Sequence, residues 1–435
     1  MLKYWCSSLW SLLSLLSKGR TWIAFTLLCA ALLTFHELTR VSDVTDYNHP
    51  GTWIPFTDSN FRAESQGYPS VKECRENFEQ RNKSRQWFWS PSYKNPCWRG
   101  EKGLLGCVPY FFVLGFPKCG TTDLFNRIKL HPGYVPPLFK EIHWITRYRF
   151  FPLGRNAKGK RIIQHVRDLH KGFRMYLRVF SPLTEILKWC YDPYNSNTTT
   201  TTTVVTSGAS PYMSCEDRIT GDFSPSTIWD SDLYTQLPEN KDRMVPVHTP
   251  GDFVHDMNPC AKLIIMLRNP VNRLYSDYLH FYKHKSPQQF HEIVTSTIDL
   301  YKRCFRKWGI RPCVHQYYLE VTGKARLRLG IYYIYISDWL EKFPRDQFLF
   351  IRLEDYAVDT KHHLQNIFKY LDLPPISDGL LNEMSSAAPT NTRQDRKEDS
   401  DAPPMLPETR LTLDQFYAPF NKKLAMLLND KRYEW

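Results

Sequence analysis

The sequence predicts an α/β protein tethered by one N-terminal transmembrane helix. Two stretches run from an apolar, strand-like segment through a short turn into a segment of helical spacing. An uncharged apolar run lies near the N-terminus. The chain has 435 residues, 42% of them hydrophobic, enough for one large α/β domain or two small ones with a sizeable core. Its formal charge of +13 suits a polyanionic partner, whether nucleic acid, anionic membrane or sulfated polysaccharide.

In chain order, residues 1–20 read as a cytosolic tail and 21–38 as a signal-anchor. Thr21 to Phe35 is apolar and extends to Leu38, a little short of the ~20 residues a bilayer wants but tolerable in a Golgi-type membrane. Lys3, Lys18 and Arg20 precede it, so the N-terminus stays in the cytosol and the body is lumenal. The rival reading is a cleaved signal peptide, but no small-x-small site follows the apolar core. Residues 39–107 read as a stem and a disulfide-tied entry, and 108–435 as the main folded domain.

A lumenal body forms disulfides. Of 11 cysteines, Cys6 and Cys29 lie before or within the span, which leaves nine and predicts at least one free thiol. Cys119 is the best candidate for it. The other eight allow four bridges in 105 connectivities. Cys304 and Cys313 bracket a short basic loop and are the first expected pair. Asn82 and Asn197 stand in glycosylation sequons.

Val108 to Phe116 reads as a buried strand, Pro117 to Thr122 as a tight loop, and Asp123 to His131 as a helix. Unpaired backbone N–H groups and the helix dipole make this junction a phosphate site. Lys118 adds a charge, and Thr121 and Thr122 add hydroxyl donors. The triphosphate loop GxxxxGK[ST] would need a lysine where Thr121 stands; the lysine here is three positions earlier. That argues against a Mg-triphosphate site. Pro117-Lys118-Cys119-Gly120-Thr121-Thr122 instead resembles the 5′-phosphosulfate loop of the sulfotransferases, which bind 3′-phosphoadenosine 5′-phosphosulfate (PAPS).

Pro136 and Pro137 bar a helix and lead to Lys140-Glu141-Ile142-His143-Trp144. Glycosaminoglycan sulfotransferases carry a similar motif, in which the glutamate is the general base and the histidine and lysine lie in the cleft. The resemblance therefore implies Glu141 as base, with Lys140 and His143 beside the acceptor; Arg147 and Arg149 are nearby charges for the same polyanion. Lys158 to Arg161 is a basic turn, and Asn195 to Thr203 a low-complexity insertion. In Gly221 to Thr227, Asp222 and Phe223 stand where 3-O- and N-sulfotransferases often have a lysine, so that lysine's role does not carry over.

Lys262 to Leu267 is a second buried strand ending at Arg268, and Pro270 opens a helix that carries Ser276 two turns in. Arg268 and Ser276 can converge on one anion, and their spacing matches the 3′-phosphate site of sulfotransferases. A helix over 330–340, a strand over Gln347–Arg352, a helix from about Val358 to Leu371 and a last helix from Leu413 to Leu428 complete the domain. Asn391 to Arg393, with Arg396 and Lys397, reads equally as a cofactor-covering loop or a surface segment.

The resemblance spans roughly Val108 to Trp435. It implies a P-loop-like parallel sheet flanked by helices, the PAPS-dependent sulfotransferase fold. It implies PAPS bound by Lys118, Cys119, Gly120, Thr121, Thr122, Arg268 and Ser276, with Glu141 and Lys118 catalytic. No metal is expected, since sulfate carries less charge than phosphate and no ligand cluster stands out. The implied partners are a glycosaminoglycan acceptor and, through the anchor, the Golgi membrane; nucleic acid is not among them. Three segments, PKCGTTDLFNRIKLHP, GDFSPSTIWD and LRNPVNRLYSDYLHFY, resemble members acting on the 6-hydroxyl of N-acetylgalactosamine 4-sulfate in chondroitin or dermatan sulfate. A heparan sulfate acceptor, a P-loop kinase and a non-catalytic glycosaminoglycan-binding lectin are the competing readings.

Overall fold

The computed structural model describes residues 74, 93–99, 105–150, 169–190, 214, 217–282, 286–395 and 400–435. The expected anchor over 21–38, the sequons at Asn82 and Asn197, the basic turn 158–161 and the threonine tract lie outside these residues. Among the described residues, no helix is long and apolar enough to cross a membrane.

A short antiparallel hairpin comes first, β1 (Cys97–Arg99) with β2 (Leu105–Cys107), its ends bridged by Cys97–Cys107. The central sheet is four-stranded and parallel, in the order β4-β3-β5-β6. Its strands are β3 (Phe111–Gly115), β4 (Gly221–Asp222), β5 (Lys262–Leu267) and β6 (Phe348–Arg352). Every residue of β3 and β5 is buried, as expected of central parallel strands covered on both faces. β3 begins later than the apolar run suggests, because Pro109 has no N–H for the ladder.

Helices α1 (Thr121–Ile128), α2 (Leu169–Arg178), α3 (Ser181–Cys190) and α4 (Pro250–Met257) arise between β3 and β5. Helices α5 (Pro270–Phe281), α6 (Pro287–Trp308), α7 (Ile310–Val314), α8 (Tyr317–Gly323) and α9 (Tyr332–Leu340) arise between β5 and β6. Helices α10 (Leu353–Val358), α11 (Thr360–Tyr370), α12 (Asp378–Ser386) and α13 (Pro407–Leu428) follow β6. The predicted helix over 358–371 is therefore two: Asp359 ends α10, and its carboxylate accepts from His362 N (3.0 Å) to cap α11.

The register aligns the C-terminal ends of β3 and β5, and Phe116 N donates to Met266 O across the gap (2.8 Å). The loops that leave these two strands thus emerge side by side, at the edge where ligands bind in open parallel sheets. The bridges present are Cys74–Cys260, Cys97–Cys107 and Cys304–Cys313. Cys119 is a free, buried thiol, pushed up to about 11 by burial. Cys215 and the side chain of Cys190 lie outside the described residues.

Candidate active site

The β3–α1 loop is built around Gly120. Its φ of +85° is left-handed, and a Cβ there would lie 2.6 Å from Leu353 Cδ1, at the start of α10. Only glycine meets both demands without strain. Because Gly120 is the N-cap, α1 starts at Thr121, two residues earlier than its apolar spacing suggests. No side chain caps this end. Its N–H groups and dipole are therefore available to an anion. Lys118 also has a left-handed backbone, φ +67°.

Arg268 leaves the end of β5 and donates from Nη1 to Lys118 O (3.2 Å), while Tyr332 OH donates to Arg268 O (2.8 Å). Asn269 caps α5, accepting from Val271 N (3.0 Å) and Asn272 N (3.1 Å), and its own N–H donates to Glu354 Oε1 (2.8 Å). Arg268 is thus tied to the β3–α1 loop. Ser276 sits half-buried in the second turn of α5; among the described residues it makes no direct hydrogen bond to Arg268.

The Lys140–His143 segment lies against the same loop. Lys140 Nζ donates to Thr122 Oγ1 (3.1 Å) and pairs with the Glu141 carboxylate. Glu141 Oε2 faces His143 Nε2 at 3.7 Å. Glu141 and His143 both hold left-handed backbones, φ +60° and +47°. Such conformations in non-glycine residues persist where the surroundings over-determine them, commonly at functional sites. Here the surroundings are polar. His143 N donates to Ser224 Oγ (3.0 Å), and His143 Nδ1 meets Ser226 Oγ (2.7 Å). Ser224 in turn donates to Asp222 Oδ1 (2.6 Å), and Tyr176 OH donates to Asp222 Oδ2 (2.9 Å). Burial raises the Asp222 carboxyl above its ordinary value. Glu141 goes the other way. The His143 hydrogen bond, followed by the Lys140 charge, outweighs desolvation and lowers its carboxyl to about 2.

Arg147 and Arg149 each have partners within the protein. Arg147 Nε donates to buried Asp230 (2.7 Å). The Arg149 guanidinium lies over the rings of Phe150, Tyr234 and Phe253, with centroid distances of 4.7, 5.0 and 4.3 Å. The loop 387–395 is tied to α1 at its start. Thr390 N donates to Asp123 Oδ1 (2.9 Å), and Arg127 bridges Asp123 Oδ2 (2.7 Å) and Ala387 O (2.8 Å). Arg396 and Lys397 lie outside the described residues. Among the described residues, no group of three or more His, Cys, Asp or Glu side chains could hold a metal ion.

Sequence reasoning missed Tyr176, Thr146, Ser224, Ser226 and Tyr332. Ser224 and Ser226 carried one usable signal: two hydroxyls two apart just beyond a strand can share a side. Their partners lie 81 and 83 residues away, which no local pattern reveals.

Residues 109–401 match the family model described as "Sulfotransferase domain". The chain is 37% identical over 338 residues to "Carbohydrate sulfotransferase 15" of Mus musculus, covering 78% of this chain and 56% of that protein. It is 23% identical over 370 residues to "Bifunctional heparan sulfate N-deacetylase/N-sulfotransferase 4" of Mus musculus, covering 78% and 33%. The chain thus spans about half the length of the first of these relatives, and a third of the second. Among solved structures, a sulfotransferase from Alicyclobacillus acidocaldarius aligns with 20% identity and a TM-score of 0.44, over 75% of this chain and 99% of that one.

Proposed function

The chain belongs to the sulfotransferase-domain family, and from that premise we propose that it transfers sulfate from PAPS to a hydroxyl of a glycosaminoglycan. One observation carries the reading furthest: Lys140 joins Thr122, in the first turn of the anion-binding helix, to Glu141. This supports Glu141 as the carboxylate that stands beside the transferable group.

The donor fits the residues present, an uncapped helix start behind an obligatory glycine, with Arg268 hydrogen-bonded to the Lys118 carbonyl of the same loop. When bound, PAPS supplies an activated sulfuryl group on a phosphate that leaves as adenosine 3′,5′-bisphosphate. Lys118 and the loop N–H groups hold the 5′-phosphosulfate and stabilise the charge that grows on the leaving oxygen. Arg268 and Ser276 hold the 3′-phosphate. Glu141 takes the proton of the sugar hydroxyl as its oxygen attacks sulfur. Paired with Lys140 and His143, Glu141 is ionised but weakly basic. Positioning and electrostatics dominate, as in phosphoryl transfer.

The acceptor we assign is the 6-hydroxyl of N-acetylgalactosamine 4-sulfate in chondroitin or dermatan sulfate, supported by the three segments quoted above. The site of action we assign is the Golgi lumen, with 21–38 as the anchor. The apolar run supports this, as do three bridges of the kind oxidising compartments favour. The test is disaccharide analysis after incubating the full chain and PAPS with chondroitin 4-sulfate, unsulfated chondroitin or heparan sulfate. A 4,6-disulfated N-acetylgalactosamine product from the first supports the assignment. Preferential labelling of heparan sulfate would overturn the acceptor and leave the reaction class standing.

A further inference from the structure

We propose that Ser226, backed by Thr146, is a positioning residue that fixes the tautomer of His143, with the proton on Nε2 and Nε2–H turned toward Glu141. This rests on the sulfotransferase reading above and accounts for the choice of base within it. The three groups form a short buried line. His143 Nδ1 lies 2.7 Å from Ser226 Oγ, and Ser226 Oγ lies 2.9 Å from Thr146 Oγ1. Ser226 is 3% exposed and Thr146 is fully buried. Among the described residues, the Thr146 hydroxyl has no other hydrogen-bond partner.

Counting protons along the line decides its direction. In one arrangement Thr146 donates to Ser226, Ser226 donates to Nδ1, and every hydroxyl proton is used. In the reverse arrangement Nδ1–H donates to Ser226, Ser226 donates to Thr146, and the Thr146 proton is left without an acceptor inside the protein. A buried donor without a partner is costly, and native structures avoid it. Nδ1 is therefore the acceptor, and the proton sits on Nε2.

The consequence is chemical. With Nε2–H facing it at 3.7 Å, Glu141 meets a donor rather than a second lone pair. His143 then has no free nitrogen turned to the cleft to take the acceptor's proton, and Glu141 alone can. His143 orients the base and offers a hydrogen bond to the developing negative charge. Glu141 faces the ring on its own segment, with Lys140 paired to Glu141, and Asp222 at the end of β4 holds the His143 backbone N–H indirectly through Ser224. The resemblance names Glu141 as the base; the hydroxyl line gives a physical reason why His143 does not compete for that role.

The experiment uses the full chain labelled with 15N-histidine and reads the His143 tautomer by long-range proton–nitrogen correlation, the signal being assigned by its loss in His143→Gln. Wild type should show Nε2–H. Ser226→Ala should populate both tautomers and lower kcat by about tenfold or more, the scale of one lost buried hydrogen bond, with the donor KM little changed. Ser226→Thr, which keeps a hydroxyl, should restore both. Thr146→Val should keep the Nε2–H signal, because Ser226 can still donate. Nδ1–H in wild type, or an unaltered tautomer and kcat in folded Ser226→Ala, would overturn the proposal. Failure of wild type to transfer sulfate at all would instead sink the functional reading, since the tautomer spectrum does not depend on turnover.

Discussion

In the proposed reaction Glu141 is the residue on which the chemistry turns, and its surroundings give its behaviour a sign. His143 first, then Lys140, lowers its carboxyl to about 2. A depressed carboxyl stabilises the fold fully above its unfolded value of 4.5 and loses that contribution as pH falls toward 2. Glu141 is thus ionised in the unliganded site above about pH 4, and an acidic limb of kcat/KM between pH 4 and 6 is expected to come from another group. Glu141→Gln, nearly isosteric, should bind adenosine 3′,5′-bisphosphate normally and lose roughly 10²- to 10⁴-fold in kcat. Steady-state rates beside a calorimetric titration would show whether the two readouts separate in this way. Arg268→Ala should do the opposite, raising the donor KM more than it lowers kcat, because Arg268 braces the Lys118 carbonyl at the binding end of the site. Arg147 shows what the sequence withheld. It was an acceptor candidate by charge and position, but its partner Asp230 is 83 residues away and came into view only with the fold.

At the scale of elements, the strand–loop–helix around Gly120 was legible because each of its parts is a local pattern. An apolar run makes β3, a Lys-Cys-Gly-Thr-Thr turn makes the loop, and helical spacing makes α1. The start of α1 was misplaced because Gly120 acts as N-cap, a backbone state that side-chain periodicity does not report. The same glycine makes the loop testable. Gly120→Ala would force an alanine into φ +85° against Leu353 Cδ1 at 2.6 Å. It should destabilise the fold by about 1–3 kcal/mol and weaken donor binding together, as urea unfolding and ligand titration can measure. Stability and affinity equal to wild type would remove the geometric case for the loop. The Lys140–His143 motif was legible by family likeness alone. Nothing local predicts that Ser224 and Ser226, beyond β4, would hold its backbone and ring.

Across the whole molecule, α/β order was readable from alternating periodicities, and the parallel sheet joins strands far apart in the chain that only folding brings together. Burial on that scale also sets a pH response away from the site. His131 is buried, accepts from Gly133 N at Nδ1 (3.0 Å) and reaches Pro374 O from Nε2 (3.1 Å). Burial lowers it from 6.5 to about 4, so the unfolded chain binds the proton first and stability falls as pH drops through that interval. The loss should approach roughly 3 kcal/mol near pH 4 and be shallower in His131→Gln, as urea melts across pH 4.5 to 7.5 can measure. Transfer should persist in EDTA, and acceptor KM should rise with salt, because exposed charge attraction is screened within about 10 Å at 0.1 M. The central claim is that one opening joins a phosphosulfate loop to a Glu141 base. Single-turnover transfer of labelled sulfate from PAPS to chondroitin 4-sulfate tests it most directly, comparing wild type, Lys118→Ala and Glu141→Gln as folded full chains. The account predicts rapid transfer by wild type and a loss of about 10²-fold or more in each variant, with donor binding retained in Glu141→Gln. Wild-type transfer rates in either folded variant would contradict it.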